Sequence, residues 1–265
     1  MFTEQKHANG VIFMTASVIR VRHAFSTRYG GVSTGELHSL NVGENRGDLP
    51  ENVRENYRRL GEAAGIDVFR MAYTKQVHGN TVRTVTGADV RELFTPLPYE
   101  ADGIVTAVPG LALICYTADC VPVLLCDEEN GVIGAIHCGW RSSVADILGN
   151  AVGAMTALGA EPERICAAIG PAIGACCFEV GPEVIEAAEA YVGNLDGLYR
   201  RRAGQAGKYY LDLRGANAKR LKQLGVRPDR IAVSDECTVC SHEKYWSHRY
   251  TKGNRGAQGA VIVLE

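Results

Sequence analysis

No stretch of this 265-residue chain reaches the roughly 18–20 consecutive apolar residues that crossing a bilayer requires. Its opening, Met1-Phe2-Thr3-Glu4-Gln5-Lys6, lacks a cationic segment leading into an apolar run and a cleavage site, so a cytoplasmic location is expected. An excess of one charge is missing too. With 28 Lys and Arg against 30 Asp and Glu, the formal net charge is −2, and nothing global points to nucleic acid or a membrane surface as partner. Any anion site has to be local. Repeats, low-complexity tracts and clean linkers are absent, so a single domain over residues 1–265 is expected. Cysteine, by contrast, is plentiful. The nine Cys are odd in number and scattered through strand-like segments, which fits reduced thiols better than a disulfide framework.

What is present centres on residues 117–141. Two apolar strands, Val121–Cys126 and Val132–Ile136, flank a polar turn at Asp127–Gly131 and read as a hairpin. Cys120 precedes the first strand and His137 follows the second, so a hairpin would bring them to one end of the sheet. His78, in Gln76-Val77-His78-Gly79, closes another strand-like run over Met71–Val77. Two His and one Cys would form a zinc site with one coordination position open, the arrangement of a catalytic centre. The spacing matches no compact zinc-finger pattern, and Cys237-Thr238-Val239-Cys240 with His242 is a rival cluster.

Further strands are expected at Val11–Phe13, Val18–Phe25, Thr81–Val85, Ala101–Thr106, Leu111–Tyr116, Arg164–Ile169, Ile231–Ser234 and Ala260–Leu264. Helices are expected after Asp48, which has capping-box spacing to Glu51, and from Ser143 to Leu158, Pro182 to Val192 and Leu213 to Leu224. Val90–Glu100 and Gly193–Lys208 read as loops, the second of them mobile, with Arg200–Arg202 as a solvated face. Strands and helices mix without strict alternation, so the fold class is α/β or α+β.

An ordered set of motifs goes further. Phe25-Ser26-Thr27-Arg28, Ser39-Leu40-Asn41-Val42-Gly43, Gln76-Val77-His78-Gly79, Ala101-Asp102-Gly103, Ala118-Asp119-Cys120, His137-Cys138-Gly139-Trp140-Arg141 and Gly170-Pro171 followed by Glu179-Val180-Gly181 occur in sequence, with Leu211-Asp212-Leu213 and Cys237-Thr238 beyond. Over nearly the whole chain this set resembles the bacterial family of multicopper polyphenol oxidase, or laccase-domain, proteins, regarded as zinc-dependent purine nucleoside phosphorylases with adenosine deaminase activity. The resemblance implies a layered α/β sandwich with mixed β-sheets, of the kind seen in the cytotoxic necrotizing factor catalytic domain. It also implies zinc ligands at His78, Cys120 and His137. Cys138, Ser142 and the segment Tyr245–Tyr250 depart from the family pattern, and Cys138 would add a second thiolate near the metal.

The expected chemistry follows from the open position. A water held there, its pKa lowered to about 7, would attack C6 of adenine in deamination. Besides Cys120, the catalytic candidates are Asp102 and Asp119 as proton shuttles, each equally readable as a turn or capping aspartate. Phosphorolysis needs a bound phosphate aimed at C1′. Arg28 and Arg141 are the basic residues inside the motifs, Arg141 standing shortly before a helix, while Asn41 and Gln76 suit base or ribose. Two other classes compete. A copper polyphenol oxidase would draw on the tighter binding of Cu²⁺ at such a site, although seven His are few for a multicopper centre. A hydrolase of a cell-wall precursor would use Cys120 as nucleophile and His137 as base.

Overall fold

The apolar runs form two six-stranded sheets packed face to face, each covered outside by helices. In the computed structural model, which describes residues 1–95 and 99–265, the first sheet has the order β1 (Phe2–Lys6), β2 (Ile12–Ala16), β3 (His23–Ser26), β15 (Gln258–Ile262), β7 (Ala112–Thr117), β4 (Met71–Ala72). The second has the order β14 (Ile231–Val233), β10 (Cys166–Ile169), β8 (Val121–Asp127), β9 (Val132–Cys138), β6 (Gly103–Thr106), β5 (Val82–Thr84). Both sheets are mixed, with β4–β7, β5–β6 and β10–β14 parallel and the other pairs antiparallel. A small sheet, β11 (Glu179–Val180), β13 (Tyr209–Leu211) and β12 (Tyr199–Arg201), lies outside them.

Period-two alternation sets the layers. On β8, Leu124 and Cys126 face the first sheet, with Leu113 and Cys115 of β7 and Ala260 and Ile262 of β15 opposite. Val121, Val123 and Leu125 point the other way, against α3 (Ile147–Ala157), α4 (Pro182–Val192) and α5 (Leu213–Gln223). The outer face of the first sheet carries Ala112, Ile114 and Val261 against Val53, Tyr57 and Leu60 of α1 (Pro50–Ala64). The central strands are therefore buried on both faces, and so they read as continuous apolar runs rather than alternating ones. The mixed α/β class expected from the sequence is what the chain adopts.

Several local expectations fail for identifiable reasons. Asp48 does not cap α1. Leu49 occupies that position without a side-chain bond, because the Asp48 carboxylate accepts from Ser33 Oγ at 2.7 Å and Asn41 Nδ2 at 2.8 Å. The helix expected from Ser143 is two helices, α2 (Trp140–Val144) and α3, broken at Asp146, whose φ of 62° places it in the left-handed region. Arg220 fixes that break by a bidentate pair with the Asp146 carboxylate, at 2.8 and 2.5 Å. The segment 193–208, read as a loop, contains β12, which pairs with β13. The loop expected over Val90–Glu100 includes residues 96–98, which lie outside the described residues. A sixth helix, α6 (His248–Thr251), stands near the C-terminal strand.

Candidate metal centre and its cavity

The β8–β9 register builds the centre. Pro122 pairs with His137 and Val121 with Cys138, which puts Cys120 and His137 at the same sheet end; His137 lies inside β9 rather than after it. The carbonyl of Asp102, one residue before β6, accepts the His137 N–H at 2.7 Å. His78 arrives from the turn between β4 and β5 with a φ of 62°. That turn is tied down by the Asp102 carboxylate, which accepts the backbone N–H groups of Val77, His78 and Gly79 at 3.1, 2.9 and 2.8 Å. The ligating atoms of His78, Cys120 and His137 all lie within 4.8 Å of one another, with Cys120 Sγ 3.8 Å from His78 Nε2.

The donor set fits a metal ion. Bond lengths of about 2.0–2.1 Å to nitrogen and 2.3 Å to sulfur put tetrahedral N and S ligands roughly 3.6 Å apart, close to the separation found. His137 Nδ1 pairs with Asp102 Oδ1 at 2.8 Å, which leaves Nε2 as its ligating atom. Gly139 keeps the space clear: a Cβ there would stand 2.9 Å from His78 Cδ2 and 3.4 Å from Cys120 Sγ. Exposure grades from buried His137 through half-buried Cys120 to exposed His78, so the centre opens on the His78 side.

Electrostatics prepare the ligands. Burial opposes ionisation of Cys120, but His137 and then His78 outweigh it and draw the thiol down to about 6. Burial likewise opposes charge on His137, but the thiolate and the Asp102 carboxylate raise its pKa to about 9. Between those values the Cys120–His137 pair carries one proton, which a metal ion must displace. Protein stripped by chelator is expected to release about one proton per ion bound at pH 7.5, falling towards none as the pH passes 9. Calorimetry in buffers of different ionisation enthalpy measures this, and binding without proton release at pH 7.5 would refute it.

Two cavities meet at the centre. One of about 720 Å³ is lined by Glu44, Arg46, Tyr73, Gln76 and Arg255 besides the three ligands. The other, about 300 Å³, is bounded by Trp140, Phe178, His248 and Arg249 and shares His78, Cys120 and Arg255 with the first. Arg255 is the notable cation. Burial and the neighbouring Arg46 lower its pKa to about 10, and its buried Nε has no partner. On the same wall Glu44 is half-buried; burial raises its pKa, and its Oε1 is likewise buried without a partner.

Most of the other sequence candidates are bound elsewhere. The Asp102 carboxylate takes four hydrogen bonds, three from backbone N–H groups and one from His137, so both its oxygens are already engaged. Asp119 accepts from Thr238 Oγ1 and from the Arg249 N–H, both at 2.6 Å, and is a loop anchor. Arg28 donates to the carbonyls of His38 and His242 and stacks 3.9 Å over Trp246. Asn41, fully buried, accepts from the N–H groups of Gly43 and Ala257 at 2.9 and 3.0 Å. It thereby holds together the two loops that carry Arg46 and Arg255. Gln76 lines the larger cavity, but its amide pairs with the backbone of Tyr116, at 2.8 and 2.7 Å. Arg141 is exposed, within α2 rather than before it, and stacks on Trp140. Cys138 is fully buried in the core, its thiol pKa pushed well up by burial, and adds no ligand. His242 stacks on Tyr250 at 3.6 Å and stays apart from Cys237 and Cys240, which meet Cys176 and Cys177 instead.

Glu44, Arg46 and Arg255, which line the larger cavity, carry little signal in the sequence. Glu44 and Arg46 directly follow the motif ending at Gly43, whereas Arg255 has only a glycine-flanked loop, Gly253-Asn254-Arg255-Gly256, which is no signal of a site.

Known proteins resemble the chain in sequence and in fold. Over 257 residues the chain is 40% identical to a purine nucleoside phosphorylase of Deinococcus radiodurans, covering 97% of this chain and 94% of that protein. It is 35% identical over 242 residues to the purine nucleoside phosphorylase YlmD of Geobacillus stearothermophilus, covering 89% and 88%. The crystal structure of YlmD from that organism superposes with a TM-score of 0.89 at 32% identity over 99% of both chains, and that of Bacillus licheniformis YfiH with 0.89 at 29%, again over 99% of both. Residues 22–265 match the family described as multi-copper polyphenol oxidoreductase laccase, and the chain belongs to that family.

Proposed function

We propose that this chain is a zinc-dependent purine nucleoside phosphorylase that also deaminates adenosine. The observation carrying the reading is one cavity that holds a His/Cys/His ligand set, two adjacent arginines and a half-buried carboxyl. The purine nucleoside phosphorylase names of its relatives support it. His78, Cys120 and His137 would hold the ion, which when bound supplies Lewis-acid polarisation and lowers the pKa of water towards about 7. Cu²⁺ would compete for the same ligands on affinity.

The rest is done by side chains. Arg46 and Arg255 hold inorganic phosphate, since paired guanidinium groups with an unsatisfied buried N–H favour a bidentate oxyanion. A phosphate oxygen forms its bond to C1′ as the N9–C1′ bond breaks, and the electron pair leaves with the purine, which takes up a proton. Glu44 delivers that proton, because burial keeps its carboxyl protonated to higher pH than an exposed glutamate. In deamination the same carboxyl protonates the departing amine, and water supplies the oxygen at C6. Adenosine, inosine, guanosine and methylthioadenosine are the substrate set.

Chromatography of adenosine incubations tests the reading. Adenine and ribose 1-phosphate are expected with phosphate, inosine without it, and neither after chelation. Adenosine left intact under every condition rejects the proposal. A second reading draws on Cys120, whose thiol is half ionised near pH 6 beside two His and so suits a cysteine hydrolase. Full activity in metal-free protein would favour that alternative.

A further inference from the structure

We propose that the chain has a second metal site, a closed zinc centre of four thiolates formed by Cys176, Cys177, Cys237 and Cys240. Topology brings them together. β10 and β14 are parallel neighbours, with Ile169 opposite Val233, so the loops that follow them leave the same sheet end side by side. A parallel bridge between Ala172 and Cys237 and a hydrogen bond from Thr238 N–H to the Ala172 carbonyl, at 3.0 Å, continue the pairing into those loops. Cys176 and Cys177 stand on one loop, and the Cys237-x-x-Cys240 turn on the other.

The four sulfurs lie within 4.8 Å of one another. Cys240 Sγ is 3.5 Å from both Cys176 Sγ and Cys177 Sγ. Zinc–sulfur bonds of about 2.3 Å place the sulfurs of a tetrahedral site roughly 3.8 Å apart, so little movement is needed to close on an ion. A disulfide would single out one pair at about 2.05 Å, whereas Cys240 sits equally between two partners.

The surroundings suit a cluster of negative sulfurs. The Gly174 N–H donates to Cys237 Sγ at 3.2 Å, a bond that stabilises a metal thiolate. A side chain at Gly174 would crowd the cluster, since a Cβ would lie 3.0 Å from Arg214 Nη2, 3.2 Å from Cys237 Cβ and 3.3 Å from Cys176 Sγ. Arg214 is buried beneath the Cys237 loop and donates to the carbonyls of Ser234 and Glu236 at 2.6 and 2.7 Å; Arg249 donates to the Cys177 carbonyl at 3.3 Å. Two cations thus flank a centre whose formal charge, four thiolates and one Zn²⁺, is −2. Four protein sulfurs leave no open position, so the site is structural.

Its effect would reach the first centre through Asp119, the neighbour of Cys120. Asp119 has a φ of 87° and is held by Thr238 Oγ1, next to Cys237, and by the Ile173 N–H to its carbonyl at 2.9 Å. Ile173 and Phe178, on the loop of Cys176 and Cys177, wall the smaller cavity. The clamp therefore fixes both a wall of the cavity and the approach to Cys120.

Elemental analysis of protein purified without added metal is the test. About two zinc per chain are expected in the wild type and about one in the His78→Ala/His137→Ala variant, whose four clamp thiols resist alkylation until chelator is added. Cobalt loaded into that variant should show the intense visible bands of a tetrahedral thiolate site. Cys176→Ser/Cys240→Ser should lose one zinc and melt earlier; if it fails to fold, the His variant still decides. No zinc in the His variant, with its clamp thiols either freely alkylated or joined as a disulfide, overturns the proposal.

Discussion

Replacing His137 with alanine is expected to empty the His78/Cys120/His137 centre of its metal and to lower adenosine turnover by at least about 10³-fold, in both phosphorolysis and deamination. Lewis-acid stabilisation contributes several kcal/mol, and each 1.4 kcal/mol is a factor of ten in rate. The fold should tolerate the change, because Asp102 keeps three backbone N–H partners when the imidazole is gone. Asp102→Asn provides the graded companion. Each carboxylate oxygen of Asp102 accepts two hydrogen bonds, so an amide NH₂ in place of either oxygen faces two donors with a third. A loss of about 10- to 100-fold in metal affinity or activity is expected, the usual range for a residue that orients a ligating His. Zinc content and steady-state rates measured on the same preparations check both. A folded His137→Ala protein with wild-type turnover would remove the metal centre from the reaction.

Arg255→Met is expected to split the two reactions. Methionine keeps an apolar stem in the loop and removes the charge, so the KM for phosphate should rise roughly 10- to 100-fold, as the loss of charge-assisted hydrogen bonds of about 1.5–3 kcal/mol requires. Deamination without phosphate should change only a few-fold. Arg46→Met should act in the same direction more weakly, since Arg46 is exposed where Arg255 is half-buried. Initial rates over a phosphate series, with inosine formation followed in parallel, give both quantities. Equal loss of phosphorolysis and deamination would show that Arg255 serves the nucleoside or the centre itself rather than phosphate.

Among the polar candidates, residue type alone misleads. Asn41 and Arg28 look like ligand-binding residues because amides and guanidinium groups bind ligands, yet backbone groups engage both, the buried Asn41 of necessity and the half-buried Arg28 beside Trp246. Asn41 serves the site at one remove, by joining the loops of Gly43 and Ala257. Ser143 resembles a cap and so suggests a helix starting after Arg141, but α2 begins at Trp140, and Arg141 turns to solvent over the indole.

By itself the sequence determined the paired strands, because burial on both faces demands apolar runs such as Val121–Cys126 and Val132–Ile136. It also marked Cys120, His137 and His78 as residues standing where such runs meet polar chain. The sheet register decided that these three meet, since one residue of slip between β8 and β9 would turn His137 to the opposite face. Only the tertiary structure joined Arg46 to Arg255 and Cys176–Cys177 to Cys237–Cys240. The members of each group lie far apart along the chain, and the loops that carry them are brought together by strand order and by a buried amide, which no local pattern encodes.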